Sequence, residues 1–257
     1  MIQFNNFSLQ DQNYIVTELI YRSAPTRVLE AQKITRRPGI QYVENEFGER
    51  KINIQGAILG NSASDLQDKI DALVQSVVRV SSGLFQTDNG RTINSVVENF
   101  SVSDPHYTQS YVPYTMDLVC LDPFFLGNQQ TISLTVASGI SSMTIATTIS
   151  GSVYAEPNLT YYAPAGSGNT TTSGIYIANG LTGEVISWSG TGGTNRLKYS
   201  DVINFDWNNQ VIIKNLANVE PDGVFFRWEP IDTTFTVTFS GTTQGGTLEL
   251  TYQPRYI

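Results

Sequence analysis

Between Arg50 and Val80 the chain changes from one hydrophobic period to another. Arg50–Ile58 alternates, with Ile52, Ile54 and Ile58 on one face and Lys51, Asn53 and Gln55 on the other, which is the spacing of a half-buried strand. Leu66, Ile70, Leu73, Val77 and Val80 then fall within one arc at helical spacing, with Val74 at its margin and Asp68, Asp71, Gln75 and Arg79 opposite. That pattern predicts one amphipathic helix over 65–80. Ser64 stands at the N-cap position, with Gln67 completing a capping box. Asp65 and Asp68 lie at the positive end of the helix dipole and Arg79 at the negative end. About fifteen helical residues span roughly 22 Å, enough to cover several strands of a sheet.

Elsewhere the period is that of strands. Met1–Ala31 reads as short strands, among them the β-branched and aromatic run Tyr14–Tyr21 and, after Ala24-Pro25, Val28–Ala31; both are expected to pair with the strand at Arg50. Gln32–Glu49 has Pro38-Gly39, few large aliphatics and mixed charge, and is long for a connection, so it is expected to project as an arm or hairpin. Asp88-Asn89-Gly90 is a tight-turn signal between Gly83–Thr87 and Arg91–Val102. In Tyr111–Leu121 one face carries Val112, Tyr114, Met116, Leu118 and Cys120, which puts the cysteine inside a sheet as a small hydrophobe.

After Asp122-Pro123-Phe124-Phe125-Leu126-Gly127 the composition shifts. Met1–Leu126 holds 24 charged residues and Gly127–Ile257 holds 14, and the second part has no helical period. A domain boundary is therefore expected between 126 and 127, giving domains 1–126 and 127–257. The second domain reads as a run of short strands: Thr131–Val136, Ser142–Ile149, Asn158–Tyr162, Gly174–Ala178, Glu184–Trp188, Val202–Asp206, Val211–Lys214, Thr233–Phe239 and Thr247–Tyr252. Turns are expected at Asn179-Gly180 and Asn208-Asn209, and a loop at Gly190–Asn195. The fold class is thus mainly β: an N-terminal sandwich or barrel-like domain with one packed helix, then a C-terminal all-β sandwich.

Composition narrows the chemistry. Cys120 and His106 are the only cysteine and histidine among 257 residues, so an internal disulfide and a zinc site built from several Cys and His are excluded. No apolar run approaches the length of a membrane span and no export leader opens the chain, so a protein without a membrane partner is expected. A net charge of −8 argues against specific nucleic-acid binding, which draws its affinity from Lys and Arg on phosphate. Arg36-Arg37 is too small a patch to change that. No nucleophile elbow, phosphate loop or metalloprotease helix is present. Carboxylate pairs such as Asp201 with Asp206, or Glu220 with Asp222, carry no distinguishing context. No catalytic, metal or cofactor-binding residue is assigned, and an enzyme is not expected. Trp188, Trp207 and Trp228 all fall in the second domain, where indoles either stack on sugars or fill the core. A carbohydrate-binding module for host surface glycans is the alternative that they raise.

In order along the chain, several segments resemble the distal tail proteins of long-tailed bacteriophages. They are the opening Phe4-Asn5-Asn6-Phe7-Ser8-Leu9, the arm with Arg37-Pro38-Gly39, and Arg50-Lys51-Ile52-Asn53-Ile54-Gln55-Gly56 leading to Asp65-Leu66 and the helix. The first part closes with Leu121-Asp122-Pro123-Phe124-Phe125, and the second carries Ile203-Asn204-Phe205-Asp206 and Pro221-Asp222-Gly223. The resemblance implies a structural protein of the virion, made in the host cytoplasm and placed at the tail tip, or baseplate. There it would form a hexameric ring, first domains inside and second domains outside, joining the tail tube protein to the hub, with DNA passing through the ring. The outer domain would be a platform for receptor-binding or side-fibre proteins, and the arm would tie neighbouring copies together.

Overall fold

The computed structural model describes all residues except 34–39, 80–81, 105–109, 191–195, 231 and 242, with backbone alone for 29–33, 40–46, 232–233 and 244. Val80, His106, the arm tip with Arg36-Arg37-Pro38-Gly39 and most of the Gly190–Asn195 loop lie outside the described residues. The chain divides into two units, Met1–Leu126 with Ile257, and Gly127–Tyr256.

The first unit contains β1 (Gln3–Phe4), β2 (Phe7–Ser8), β3 (Tyr14–Ile20), β4 (Arg27–Lys33), β5 (Ile40–Phe47), β6 (Arg50–Leu59), α1 (Ala63–Val78), β7 (Gly83–Gln86), β8 (Thr92–Val102), β9 (Tyr111–Cys120) and β10 (Phe125–Leu126). One antiparallel path runs β2-β1-β7-β8-β9-β6-β3. Along β6 the alternation holds: Ile52, Ile54 and Ile58 are buried while Lys51 and Gln55 are exposed. On β9 the predicted inward set, Val112, Tyr114, Met116, Leu118 and Cys120, is buried throughout. Gly56 sits where three strands meet. A Cβ there would stand 2.5 Å from the Ile15 carbonyl oxygen and 2.5 Å from the Tyr114 ring, so only glycine lets Tyr114 cross β6 at this point.

Helix α1 packs on β6 and β8 through Leu66, Ile70, Leu73 and Val77, all buried, with Val74 half-buried at the margin. Its start corrects the sequence expectation. The N-cap is Ser62, not Ser64: the Ser62 hydroxyl accepts from the Asp65 amide at 3.1 Å. Asp65, not Gln67, reaches back, accepting from the Asn61 amide at 2.7 Å and pairing with Lys69 at 2.8 Å. Gln67 instead donates to Asp71 one turn on. We predict that Ser62→Ala lowers the stability of the first unit by about 1 kcal/mol. Ser64→Ala should stay within about 0.5 kcal/mol of the parent, both read from the urea midpoint of far-UV circular dichroism.

Strands β4 and β5 correct a second expectation. Tyr14–Ile20 does pair with β6, but Arg27–Lys33, which contains Val28–Ala31, pairs with Ile40–Phe47 and forms a separate two-stranded sheet. The arm therefore begins at Arg27 rather than Gln32. Backbone bonds at its base explain why: Gly48 donates to the Thr26 carbonyl at 2.7 Å and Thr26 donates to the Glu49 carbonyl at 3.3 Å, closing the hairpin before β4 could meet β6.

The second unit contains β11 (Gln130–Ser138), β12 (Ser142–Thr148), β13 (Asn158–Tyr162), β14 (Gly174–Asn179), β15 (Val185–Ser189), β16 (Val202–Asp206), β17 (Val211–Lys214), β18 (Ala217–Val219), β19 (Asp222–Gly223), β20 (Asp232–Ser240), β21 (Gln244–Tyr252) and β22 (Arg255–Tyr256). All of these but β22 form two antiparallel sheets, β11-β21-β13-β16-β17-β18 and β12-β20-β14-β15-β19, with one continuous core built from buried side chains of both. This is the predicted all-β arrangement. Asp206 fixes the turn after β16, accepting from the Asn209 backbone at 3.0 Å and side chain at 2.7 Å. In the β14–β15 turn the left-handed residue is Gly183, at φ 75°, rather than Gly180.

Candidate assembly interface

Any function of the first unit that depends on another chain has an obvious organ in the β4–β5 hairpin. Among the described residues neither of its strands pairs with a third, so both edges are open to another chain. Its base, by contrast, is firmly held. Phe47 packs edge-on against Phe124 at 5.4 Å, and the Arg27 guanidinium lies over Phe47 at 5.3 Å.

Arg50 is the deeper anchor. It is 1% exposed. Its Nε donates to the Pro123 carbonyl at 2.7 Å, and its Nη1 donates to the carbonyls of Tyr21 and Ser23, both at 2.8 Å. The guanidinium also stands 4.9 Å from the Phe125 ring. One side chain thereby joins the segment leading into the arm to the segment following β9. Burial lowers its pKa, yet an arginine starts from so high a value that the charge is kept. Sequence reasoning missed this residue, although its signal was present: in the alternation of β6, Arg50 shares the parity of Ile52 and Ile54 and had to point inward.

The residues considered for chemistry are accounted for differently. Cys120 is fully buried, and burial pushes its thiol up to about 12, far from a reactive thiolate. Asp201 is buried, which alone would raise its pKa. The Lys198 amide at 2.8 Å, the Asn215 amide at 2.7 Å and the Lys214 ammonium at 3.4 Å outweigh that and hold it low. Asp206 is committed to its turn, and Glu220 and Asp222 are exposed. Among the described residues no three His, Cys, Asp or Glu side chains are grouped to hold a metal ion, and no helix is long and apolar enough to cross a membrane. Trp188 and Trp207 are 4% exposed and Trp228 is 0% exposed. All three belong to the core of the second unit, so none offers a ring face on which a sugar could stack.

The family model for the phage tail protein RIFT-related domain matches residues 2–78. Over that stretch the chain is similar to a phage tail RIFT-related domain. The stretch takes in the arm, β6, Arg50 and all of α1. The likeness of fold extends beyond the RIFT-related domain. The crystal structure of SPP1 Dit (gp 19.1), described as a paradigm of the hub adsorption apparatus in phages that infect Gram-positive bacteria, superposes with a TM-score of 0.73 at 12% identity, covering 100% of this chain and 98% of that one. Both units thus follow the Dit fold in the same order. Chains of the phage p2 baseplate in its activated conformation also match, with Sr at a TM-score of 0.46, 8% identity and coverage of 97% and 98%, and with Ca at 0.42, 9% identity and coverage of 99% and 98%. No curated protein sequence matches the chain.

Proposed function

We propose that this chain is a structural protein of a phage tail tip, a distal tail protein that assembles into a hexameric ring between the tail tube and the hub. One observation carries the reading: a stretch similar to a phage tail RIFT-related domain, residues 2–78, opens a chain whose whole length follows the fold of Dit. The first domain, 1–126, would form the ring, with the β4–β5 hairpin of each copy docking on its neighbour. The anchored base supports this, because a hairpin held by Phe47, Thr26 and Arg50 transmits load where a loose loop would not. Head-to-tail docking of one surface on a different surface closes into a ring when the rotation allows it. The second domain, 127–257, would stand outside as the platform for receptor-binding or side-fibre proteins. A net charge of −8 suits a channel through which DNA passes without being held. The role is architectural rather than catalytic, and its place is the virion.

The test is the mass of the purified chain by light scattering over a concentration series, alone and with its tube and hub proteins, for the parent and for a variant whose residues 30–45 are replaced by a short Gly-Ser turn. A hexamer that becomes monomeric in the variant, with both unfolding transitions unchanged, is the expected result. A parent chain that stays monomeric even with tube and hub proteins present would sink the ring.

A further inference from the structure

Edge strands that stay solitary are usually short, bulged or charged. Apart from the arm, most edges of this chain follow that rule. β2, β18 and β19 are two or three residues long, and β3 carries a register shift between Val16 and Glu18 together with the exposed Glu18 carboxylate. β11 and β12 do not follow it. They are nine and seven residues long, and among the described residues each pairs with one strand only. Gly127–Ala155, which contains both, has no Asp, Glu, Lys, Arg or His, in a chain of net charge −8. β12 meets β20 without a shift from Ser142 to Thr148.

The core of the second unit is also thinnest at this edge. Most of the partly buried apolar side chains at its margin, namely Ile132, Leu134, Ile140 and Met143, come from β11, β12 and the turn between them. The backbone of β12 is aimed outward as well. The Phe239 amide donates to the carbonyl of its register partner Ser141 at 2.7 Å, and antiparallel ladders alternate, so the odd-numbered residues of β12 bond to β20. The amides and carbonyls of Ser142, Thr144 and Ala146 therefore point away from the sheet, and all three residues are exposed.

Such a row accepts another strand, and the sequence of β12 suits its own copy. Antiparallel pairing about a two-fold axis at Thr144 sets Ser142 against Ala146 on the outer face and Met143 against Ile145 on the inner face, so small side chains meet small ones and apolar side chains meet apolar ones. A two-fold contact brings one patch against itself, which sets like charge near like charge wherever the patch carries any. This strand carries none.

We propose that β12 is a self-association edge, through which two copies of this chain pair antiparallel and continue the β12-β20-β14-β15-β19 sheet from one copy into the other. The contact is separate from the ring, which docks the hairpin on a different surface.

The experiment follows sedimentation velocity and amide hydrogen exchange over a concentration series, for the full chain and for the variant with residues 30–45 replaced by a Gly-Ser turn. One strand pair is a small interface, so the variant should be monomeric in dilute solution and dimeric towards about 1 mM. In both chains exchange at Ser142, Thr144 and Ala146 should slow as concentration rises. Thr144→Lys and Thr144→Glu should each weaken the dimer about tenfold or more, since like charges then face each other, and an equimolar mixture of the two should restore it. An unmoved tryptophan-fluorescence midpoint shows that both remain folded. Monomers at every concentration, with exchange at Thr144 indifferent to concentration in the full chain, overturn the pairing whatever becomes of the ring. A dimer unaffected by Thr144→Lys, or a mixture of the two variants that stays monomeric, overturns it too.

Discussion

Arg50→Ala will lower the stability of the first unit by about 3–5 kcal/mol, the loss expected when a large buried side chain is removed together with its hydrogen bonds. The carbonyl of Pro123 loses its donor in a buried setting, at about 1–3 kcal/mol. Those of Tyr21 and Ser23 are partly reached by water and lose less. The rest comes from the space left beside Phe125. Opposing this, a buried guanidinium carries a desolvation cost that the parent always bears. Arg50→Met fills much of the space and removes that cost, so it should lose only about 1–3 kcal/mol. The measurement is made clean by the distribution of tryptophan: Trp188, Trp207 and Trp228 all lie in the second unit. Urea unfolding followed by fluorescence reports that unit alone, and circular dichroism reports both. Arg50→Ala should move the first-unit transition and leave the fluorescence midpoint in place. A shift of less than about 1 kcal/mol would show that the three carbonyls are satisfied without the guanidinium and that Arg50 does not anchor the arm.

The parts of this architecture that were legible in the sequence are those set by local period. The stripe from Leu66 to Val77 and the alternation of β6 and β9 each follow from one repeating geometry, and the structure reproduces them residue by residue. Pairing partners are another matter. Val28–Ala31 has the composition of a sheet strand, and nothing within it distinguishes a place beside β6 from a place in the arm. That choice was made by Thr26, Gly48 and Glu49, whose backbone bonds close the hairpin across more than twenty residues of sequence. The N-cap was misplaced for a subtler reason: Ser62 and Ser64 are both good caps, and Ser62 wins because Asp65 stands at the position where its amide meets the hydroxyl and its carboxylate meets Asn61. Of the candidate interface, the arm could be seen as a projecting segment, while its anchor could not. Arg50 was overlooked because charge was allowed to outweigh parity, and the cavity that it lines is assembled from five separate segments that no window of sequence brings together. The tryptophans posed the converse problem, since composition allows an indole on a sandwich either surface or core, and only packing between the two sheets decides.

That packing makes Trp228→Ala the most damaging single change expected in the second unit, at about 3–5 kcal/mol. Trp228 has no exposed surface. Its ring stacks on Phe235 at 3.6 Å between centroids and on Phe226 at 5.9 Å, and meets Trp207 edge-on at 5.2 Å. Truncation to alanine would empty the centre of an aromatic cluster whose other members are fixed to both sheets, so the hole cannot readily collapse. The indole N–H, however, has no hydrogen-bond partner among the described residues, and a buried unsatisfied donor costs about 1–3 kcal/mol. Trp228→Phe keeps one ring in the stack and deletes that donor, so the gain offsets part of the lost volume and the net change should stay below about 2 kcal/mol. The expected outcome is a large drop in the second-unit urea midpoint for alanine and a small one for phenylalanine, both read from the remaining Trp188 and Trp207, with the first-unit transition unmoved. Equal losses for the two variants would mean that the N–H is satisfied in solution. A negligible loss for alanine would mean that the cluster repacks, and that the core of this domain is held by its strand ladders more than by its rings.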